Sequence, residues 1–304
     1  DGTPAYNVGT SFSTPWVSRM AAELTHLVKE EFDPLLIRAL LIHNAKYPAN
    51  NSMSMTDKVT QMGFGAPSSV QEMLYNSEDE ITLILRDTLE KGSFIEMFDF
   101  PFPESLVDKD GNFVGQIIVT LVTKSLLDDK QAGEYCQSNI DILFGTYETE
   151  TDRDTSKKGI KNPKGLEEPQ NILLESLYSA RVKGAHPFTG FERECTLVKY
   201  GKKFHPVKKY AIDLSEMTTS NRQRYLRGDR KWYLKIEGLY RDFIEQDARA
   251  RNYQLSQEYC LLLTIRDPNG KAPVYDEVAQ QLDYKNFLHH NIQLRNVVTI
   301  DGTL

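Results

Sequence analysis

The stretch Gly9–Ala22, GTSFSTPWVSRMAA, holds the residues of this chain that are best suited to chemistry. A serine hydroxyl attacks a carbonyl only after a base takes its proton, and the resulting oxyanion needs hydrogen-bond donors aimed at it. Ser11 in the first turn of a helix would lie beside free N–H groups and the positive end of the helix dipole. The small residues Gly9 and Thr10 would let a substrate carbonyl approach the backbone. These residue types make Ser11 a candidate nucleophile; the alternative is that the hydroxyls of this stretch only cap an ordinary helix.

Two helices are predicted to position this stretch. The first begins near Ser11, because apolar residues recur at three- and four-residue steps: Val17, Met20, Ala21, Leu24, Leu27 and Val28. Pro15 is expected in its opening turn, where a missing N–H costs no helical hydrogen bond. Asp33 and Pro34 predict the N-cap and first position of the second helix. Residues 48–57 then predict a surface loop.

Composition sets the broad class of the protein. The chain has 304 residues, 40% of them hydrophobic, and a net charge of −7, as expected of a soluble globular protein. The negative charge argues against nucleic acid and anionic membranes as partners, and there is no apolar run long enough to span a bilayer. Three scattered cysteines, Cys136, Cys195 and Cys260, fit neither a disulfide framework nor a C-x-x-C metal site. They are interpreted as buried thiols in a cytoplasmic protein, and no cofactor or metal is predicted.

Three features in the first 75 residues carry a family resemblance. Gly9–Ser18 resembles the nucleophile motif of the subtilisin-like serine proteases, the subtilases, whose usual form is G-T-S-M-A-T-P-H-V-A-G. Ala39–Ala45 resembles part of the family's next helix, and Gly63–Gly65 resembles the G-Y-G passage that closes the protease domain. The resemblance implies that Ser11 is the nucleophile and that its own backbone N–H is one oxyanion donor. Gly9 and Thr10 are then the backbone environment of the oxyanion.

Five residues depart from the usual motif without removing the nucleophile. Phe12 replaces the usual Met, Ser13 and Ser18 each replace Ala, Trp16 replaces His, and Arg19 replaces Gly. Because two of the replacements are large aromatic residues, the packing around this helix is expected to differ from that of the common secreted enzymes.

The base and the acid of a subtilase triad are not found beside Ser11. In subtilases the order along the sequence is Asp, His, Ser, and the ten residues before Ser11 contain Asp1 and Asn7 but no histidine. The resemblance therefore implies that the Asp and His belong to an upstream segment of a longer protein and that this chain alone is inactive. The alternative is an unusual base among the histidines of the chain: His26, His43, His186, His205, His289 and His290.

Beyond about Glu80 the pattern changes from helical to alternating. Strands are predicted over Ile81–Leu85, Ser93–Phe98, Gly115–Lys124, Ile140–Tyr147, Lys231–Gly238, Glu258–Arg266 and Asn291–Ile300. We therefore predict an α+β chain, with C-terminal helices of a subtilisin-like α/β domain (1–78) followed by an antiparallel β-sandwich (79–304). An exposed linker is predicted near 149–170 and a helix over 171–182.

Two smaller patterns in this region each have two interpretations. Asp108–Asn112 hints at a calcium loop, but its glycine is at the fourth position rather than the sixth, so a hairpin turn is preferred. The basic stretches 199–209 and 222–231 could bind single-stranded nucleic acid, but a solvated surface is preferred.

Two functions are consistent with these observations. The first is a serine endopeptidase that hydrolyses polypeptides through an acyl-enzyme. Analogy with intracellular bacterial subtilases suggests an AAA-type ATPase as a partner of this endopeptidase and phage defence as its role. The second is a non-catalytic subtilase-like scaffold whose β-sandwich is an interaction module for a protein or a nucleic acid.

Overall fold

A computed structural model describes residues 9–28, 32–47, 53, 55–148, 169–178, 204–284 and 292–294. The helices of this part of the chain are α1 Thr10–Leu27, α2 Pro34–His43, α3 Met55–Met62, α4 Val70–Leu74, α5 Thr219–Tyr225, α6 Asp242–Arg251 and α7 Val274–Tyr284. The strands are β1 Glu80–Glu90, β2 Phe94–Phe100, β3 Gln116–Thr123, β4 Ser138–Tyr147, β5 Gln170–Asn171, β6 Val207–Asp213, β7 Lys231–Tyr240, β8 Ser256–Arg266 and β9 Ile292–Leu294.

The strands form two antiparallel sheets. The larger has the order β6-β3-β8-β1-β9, and the smaller has the order β2-β7-β4-β5. In the larger sheet the long strands β1 and β8 pair over eleven residues, from Glu80 opposite Arg266 to Glu90 opposite Ser256. The predicted α+β class, with helices beside antiparallel sheets, is confirmed.

The inner faces of the two sheets share one hydrophobic core. Residues that alternate along the strands of both sheets are buried in it, as the two-residue period of a strand requires. The members include Ile81, Leu83, Ile117, Leu261 and Leu263 from the larger sheet and Phe144, Trp232, Leu234 and Ile236 from the smaller. The indole of Trp232 stacks on Phe102 at a centroid distance of 4.0 Å. The two sheets are thus packed face to face.

A second core lies on the outer face of the larger sheet, where the helices pack. Met20 and Leu24 of α1 and Leu36 and Leu40 of α2 are buried there against apolar side chains of four strands, namely Ile84, Val122, Val207, Cys260 and Leu262. The described part of the chain therefore has three layers: helices, the larger sheet and the smaller sheet. The boundary at 78/79 stays a prediction, but the helices before it bury their apolar faces on the strands after it.

Helix α2 is fixed to this sheet at both ends by polar contacts. Asp33 caps its N-terminus by accepting hydrogen bonds from the N–H of Leu35 and Leu36 at 2.8 and 3.1 Å, as predicted. The other carboxylate oxygen accepts a hydrogen bond from Arg86 of β1 at 3.3 Å. At the C-terminal end, Lys209 of β6 donates to the backbone carbonyl oxygens of α2 and the residues that follow it.

The predicted elements and the observed ones differ at several places. Each strand predicted before residue 270 coincides with an observed strand, and most of the ends differ by one to five residues. The helix predicted over 171–182 is wrong in its described part, where β5 ends at Asn171 and a single 3₁₀ turn covers Glu175–Leu177. Residues 48–57 are not all loop, since α3 begins at Met55. The predicted linker 149–170 lies almost entirely outside the described residues.

Strand β6 and helices α5, α6 and α7 were not predicted. β6 includes the end of a basic stretch that was interpreted as surface. Helix α6 is strongly polar, and only Ala248 in it is buried, so it lacks the broad apolar stripe that identifies a helix from sequence.

Candidate active site

Ser11 is the second residue of α1, which begins at Thr10 with Gly9 as its N-cap. No side chain caps this end, because Gly9 has none to offer. The backbone N–H of Phe12 donates to the carbonyl oxygen of Gly9 at 3.1 Å. The N–H groups of Thr10 and Ser11 lie in the turn whose donors have no intrahelical acceptor. The hydroxyl of Ser11 is thus carried beside backbone donors and the positive end of the helix dipole.

Pro15 lies in the second turn of α1 rather than in the opening turn expected for it. It is the sixth residue of a helix that begins at Thr10. A proline nitrogen carries no hydrogen, so the carbonyl of Ser11, four residues earlier, loses its helical donor. The backbone carbonyl of the candidate nucleophile therefore lacks the helical hydrogen bond that it would accept in a helix without this proline.

The first half of α1 projects away from the rest of the described structure. Residues 9–16, 18 and 19 are all exposed, and the first buried side chain is Met20. Phe12 and Trp16 are 61% and 48% exposed, although they continue, four residues apart, the ridge that Met20 and Leu24 bury further along. An apolar ridge that is half buried and half exposed indicates a surface that another polypeptide segment can cover.

None of the described histidines is placed to activate Ser11. His26 lies fifteen residues further along α1, which at 1.5 Å per residue is about 22 Å along the axis. His43 is buried, with Nδ1 2.9 Å from Thr120 Oγ1 and Nε2 2.7 Å from Thr264 Oγ1. His205 is also buried, at 2% exposure. His186, His289 and His290 lie outside the described residues. Of the described histidines, two are enclosed in packed surroundings and one is distant on the same helix.

The basic stretches do not form a cationic surface in their described parts. Lys208 is 1% exposed and contacts the carboxylate of Asp141, and Lys209 is 5% exposed. In the second stretch, most of the guanidinium groups pair with carboxylates: Arg222 with Asp108 at 2.5 Å, Arg227 with Asp229 at 2.6 Å and Arg230 with Glu148 at 2.7 Å. Side chains that are buried or neutralised in this way are poorly suited to bind phosphates. The interpretation as a solvated surface is wrong for Lys208 and Lys209.

The loop 108–112 is a hairpin turn, as preferred from the sequence. Asp108 Oδ1 accepts hydrogen bonds from the N–H of Asp110 and Asn112, both at 2.9 Å. Val107 and Phe113 pair across the turn. In the part of the chain that the structure describes, no group of three or more His, Cys, Asp or Glu side chains is arranged to hold a metal ion.

The described cysteines are buried thiols, as expected. Cys136 and Cys260 are free and buried, and burial raises the pKa of the Cys260 thiol far above its usual range. Cys195 lies outside the described residues. None of the helices that can be described is both long and apolar enough to cross a membrane.

Comparison with known proteins identifies the segment that carries Ser11. Residues 4–68 match the family model of the subtilases, a range that includes α1, α2 and the glycine passage at 63–65. The match covers about a fifth of the chain. No curated protein matches the chain. The resemblance noted in the sequence is thus found independently, and the described residues of the matched range lie before the first strand.

Proposed function

We propose that the subtilase segment of this chain supplies the nucleophile of a serine endopeptidase. Ser11 attacks the scissile carbonyl, and the oxyanion accepts a hydrogen bond from the backbone N–H of Ser11. A histidine takes the serine proton and returns it to the leaving amine, an aspartate orients that histidine, and water then hydrolyses the acyl-enzyme. The observation that carries the proposal is the position of Ser11, exposed in the uncapped first turn of α1, inside the residues that match the family.

We further propose that the histidine and the aspartate come from a segment of the full protein that precedes Ser11. The described histidines are unsuited to the role, as their burial or distance shows. The exposed ridge of Phe12 and Trp16 flanks Ser11 on the same helix, so a segment that covers these aromatic rings would also stand next to the serine hydroxyl. The chain of 304 residues alone is then expected to be inactive. An AAA-type ATPase partner, a bacterial origin and a role in phage defence rest on family resemblance only and stay predictions.

The test is labelling with a fluorophosphonate, which reacts only with an activated serine. The full-length protein is compared with its Ser11→Ala variant and with the 304-residue chain. Ser13→Ala is the matched control, because Ser13 is also exposed on the same helix and its hydroxyl donates to the carbonyl of Thr10 at 3.3 Å.

We expect the full-length protein and its Ser13→Ala variant to be labelled, and the Ser11→Ala variant and the isolated chain to remain unlabelled. Labelling that survives Ser11→Ala would refute the assignment of the nucleophile. Labelling of the isolated chain that depends on Ser11 would refute the upstream base. A full-length protein that does not react at all would favour the non-catalytic scaffold.

A further inference from the structure

Two adjoining cavities form a groove beside the end of β2, the start of β7 and the end of α7. The first has a volume of about 510 Å³ and the second of about 460 Å³. They share Glu104, Gln281 and Tyr284 as lining residues, so the groove is elongated. Each volume lies within the range of pockets that hold small ligands.

Aromatic residues line the groove, and one of them is exposed. Phe100, Phe102, Phe113 and Trp232 line the first cavity and are buried in the core beside it. Tyr284 lines both cavities and is 89% exposed. An aromatic ring at this position offers an uncovered face on which the apolar side of a ring-shaped ligand can stack.

The first cavity has two further features that are typical of ligand sites. Asp99, which lines it, has φ +53°, in the left-handed region that residues other than glycine seldom adopt. The pairing of β2 with β7 shifts at this residue, between Phe98 and Phe100, and such bulges redirect side chains beside functional sites. The buried indole N–H of Trp232 finds no acceptor among the residues that the structure describes, as happens where water or a ligand completes the hydrogen bonding.

Charged groups of both signs line the groove, namely the carboxylates of Asp99, Glu104 and Glu277 and the cations Arg230 and Lys231. Each cation has a carboxylate near it: Arg230 Nη1 lies 2.7 Å from Glu148 Oε1, and Lys231 Nζ lies 3.6 Å from Asp99 Oδ1. The groove therefore lacks the strong charge of one sign that selects an anion or a cation. This mixture favours a neutral ligand.

The polar groups of the groove include both donors and acceptors. The side chains of Glu104 and Gln280 make no hydrogen bond or ion pair with the described part of the chain. A carboxylate can accept hydrogen bonds alone, the ammonium of Lys231 can donate them alone, and an amide does both. A hydroxyl group also donates and accepts and carries no charge. A ligand with many hydroxyl groups can therefore satisfy all three side chains.

We propose that this groove binds a neutral oligosaccharide, with one sugar ring stacked on Tyr284 and hydroxyl groups hydrogen-bonded to Glu104, Gln280 and Lys231. A sugar ring combines an apolar face with hydroxyl groups at its edge, which matches an exposed aromatic ring flanked by donors and acceptors. A nucleobase could also stack on Tyr284, but it would use polar groups at one place, whereas those of the groove are spread over two cavities. The proposal concerns binding alone and does not depend on Ser11 being a nucleophile.

The experiment measures the intrinsic fluorescence of Trp232 in the 304-residue chain. The chain has two tryptophans, so the Trp16→Phe variant leaves Trp232, in the lining of the first cavity, as the sole indole. The probes are maltotriose, cellotriose, mannotriose and N,N′,N″-triacetylchitotriose, all of them neutral. We expect a saturable change with at least one trisaccharide, with a Kd below about 5 mM. Because the ligand is neutral, this Kd should stay the same when the salt concentration is raised.

Variants then place the binding in the groove. Tyr284→Ala and Glu104→Ala should each weaken the binding of that trisaccharide about fivefold, because they remove the stacking ring and a charged acceptor. Tyr253→Ala and Glu78→Ala are the matched controls at side chains outside the groove and should leave the Kd unchanged. All four side chains are exposed, and the Tm of each variant checks that it is folded.

Each of three results would overturn the proposal. The first is the absence of a saturable change with all four trisaccharides. The second is an equal loss of affinity in the groove variants and their controls. The third is binding of guanosine or spermidine as tight as that of the best trisaccharide, which would indicate a site for nucleobases or for cations instead. Activity is not measured, so a failure here leaves the proposed peptidase function untouched.

Discussion

Lys209 of β6 donates hydrogen bonds to the backbone carbonyl oxygens of Ile42 and Ala45, 2.8 Å away in each case, at the C-terminal end of α2. The last carbonyls of a helix have no intrahelical donor and carry the negative end of its dipole. The buried ammonium therefore binds the helical layer to the sheet, as a donor to Ala45 and as a second donor to Ile42, whose carbonyl also accepts from the N–H of Ala45 at 3.2 Å. The contact joins residues more than 160 positions apart in the chain.

Replacing this lysine tests how strongly the two layers depend on each other. We predict that Lys209→Met lowers the free energy of unfolding by about 2–4 kcal/mol, because it removes a buried charged donor from two carbonyl oxygens and leaves that of Ala45 without this hydrogen bond. Urea denaturation measures the change. Lys124→Met is the matched control, since Lys124 makes an exposed pair with Glu258 and should cost less than about 1 kcal/mol. Equal losses in the two variants would contradict the role assigned to Lys209.

Lys209 also illustrates what could not be predicted from the sequence. The run of basic residues that ends there resembles a solvated surface in composition. Its last three residues instead begin the edge strand β6, where Lys208 and Lys209 contact a carboxylate and backbone carbonyls on distant segments. Local patterns were sufficient where the signal is local, as for the N-cap at Asp33 and the continuous apolar run of β8. The partners of a buried charge are set by tertiary structure, which a local pattern does not contain.

The candidate site also has one part that could be predicted from the sequence and one part that could not. Ser11 could be located from the sequence, because a short motif fixes both the residue and its place at the start of a helix. The exposed ridge of Phe12 and Trp16 could not, since apolar residues at helical spacing predict burial whether or not the covering segment is present. The two rings depart from the usual motif, and the structure shows that the described residues leave them uncovered.

The glycine passage at 63–65 makes a backbone contact that only glycine can provide. Gly65 has φ +97°, and a Cβ there would lie 2.4 Å from the carbonyl oxygen of Lys46. We predict that Gly65→Ala lowers the free energy of unfolding by about 3 kcal/mol, from backbone strain plus this clash. Gly92→Ala separates the two causes, because Gly92 has φ +80° with no atom within 4 Å of the added Cβ. It should cost only about 1 kcal/mol, and an equal cost at both positions in urea denaturation would argue against the clash.

Asp267 organises the turn between β8 and α7 through its carboxylate. The N–H of Asn269 donates to Oδ1 at 2.9 Å, and those of Lys271 and Ala272 donate to Oδ2 at 2.9 and 3.0 Å. Burial alone would raise the pKa of Asp267, but these hydrogen bonds to the charged form outweigh it, so the pKa lies below its usual range.

A depressed pKa in the folded state makes stability depend on pH in one direction. Asp267 is more readily protonated in the unfolded chain, so its contribution is complete above about pH 4 and is lost as the pH falls through the lower folded-state pKa. We predict that Asp267→Asn lowers the free energy of unfolding by about 1–2 kcal/mol at pH 7. The difference between wild type and variant should shrink as the pH falls below about 4. Asp276→Asn, at an exposed carboxylate of α7 with no hydrogen bond among the described residues, is the control. A difference at Asp267 that stays constant over this pH range in urea denaturation would show that the carboxylate charge is not what stabilises the turn.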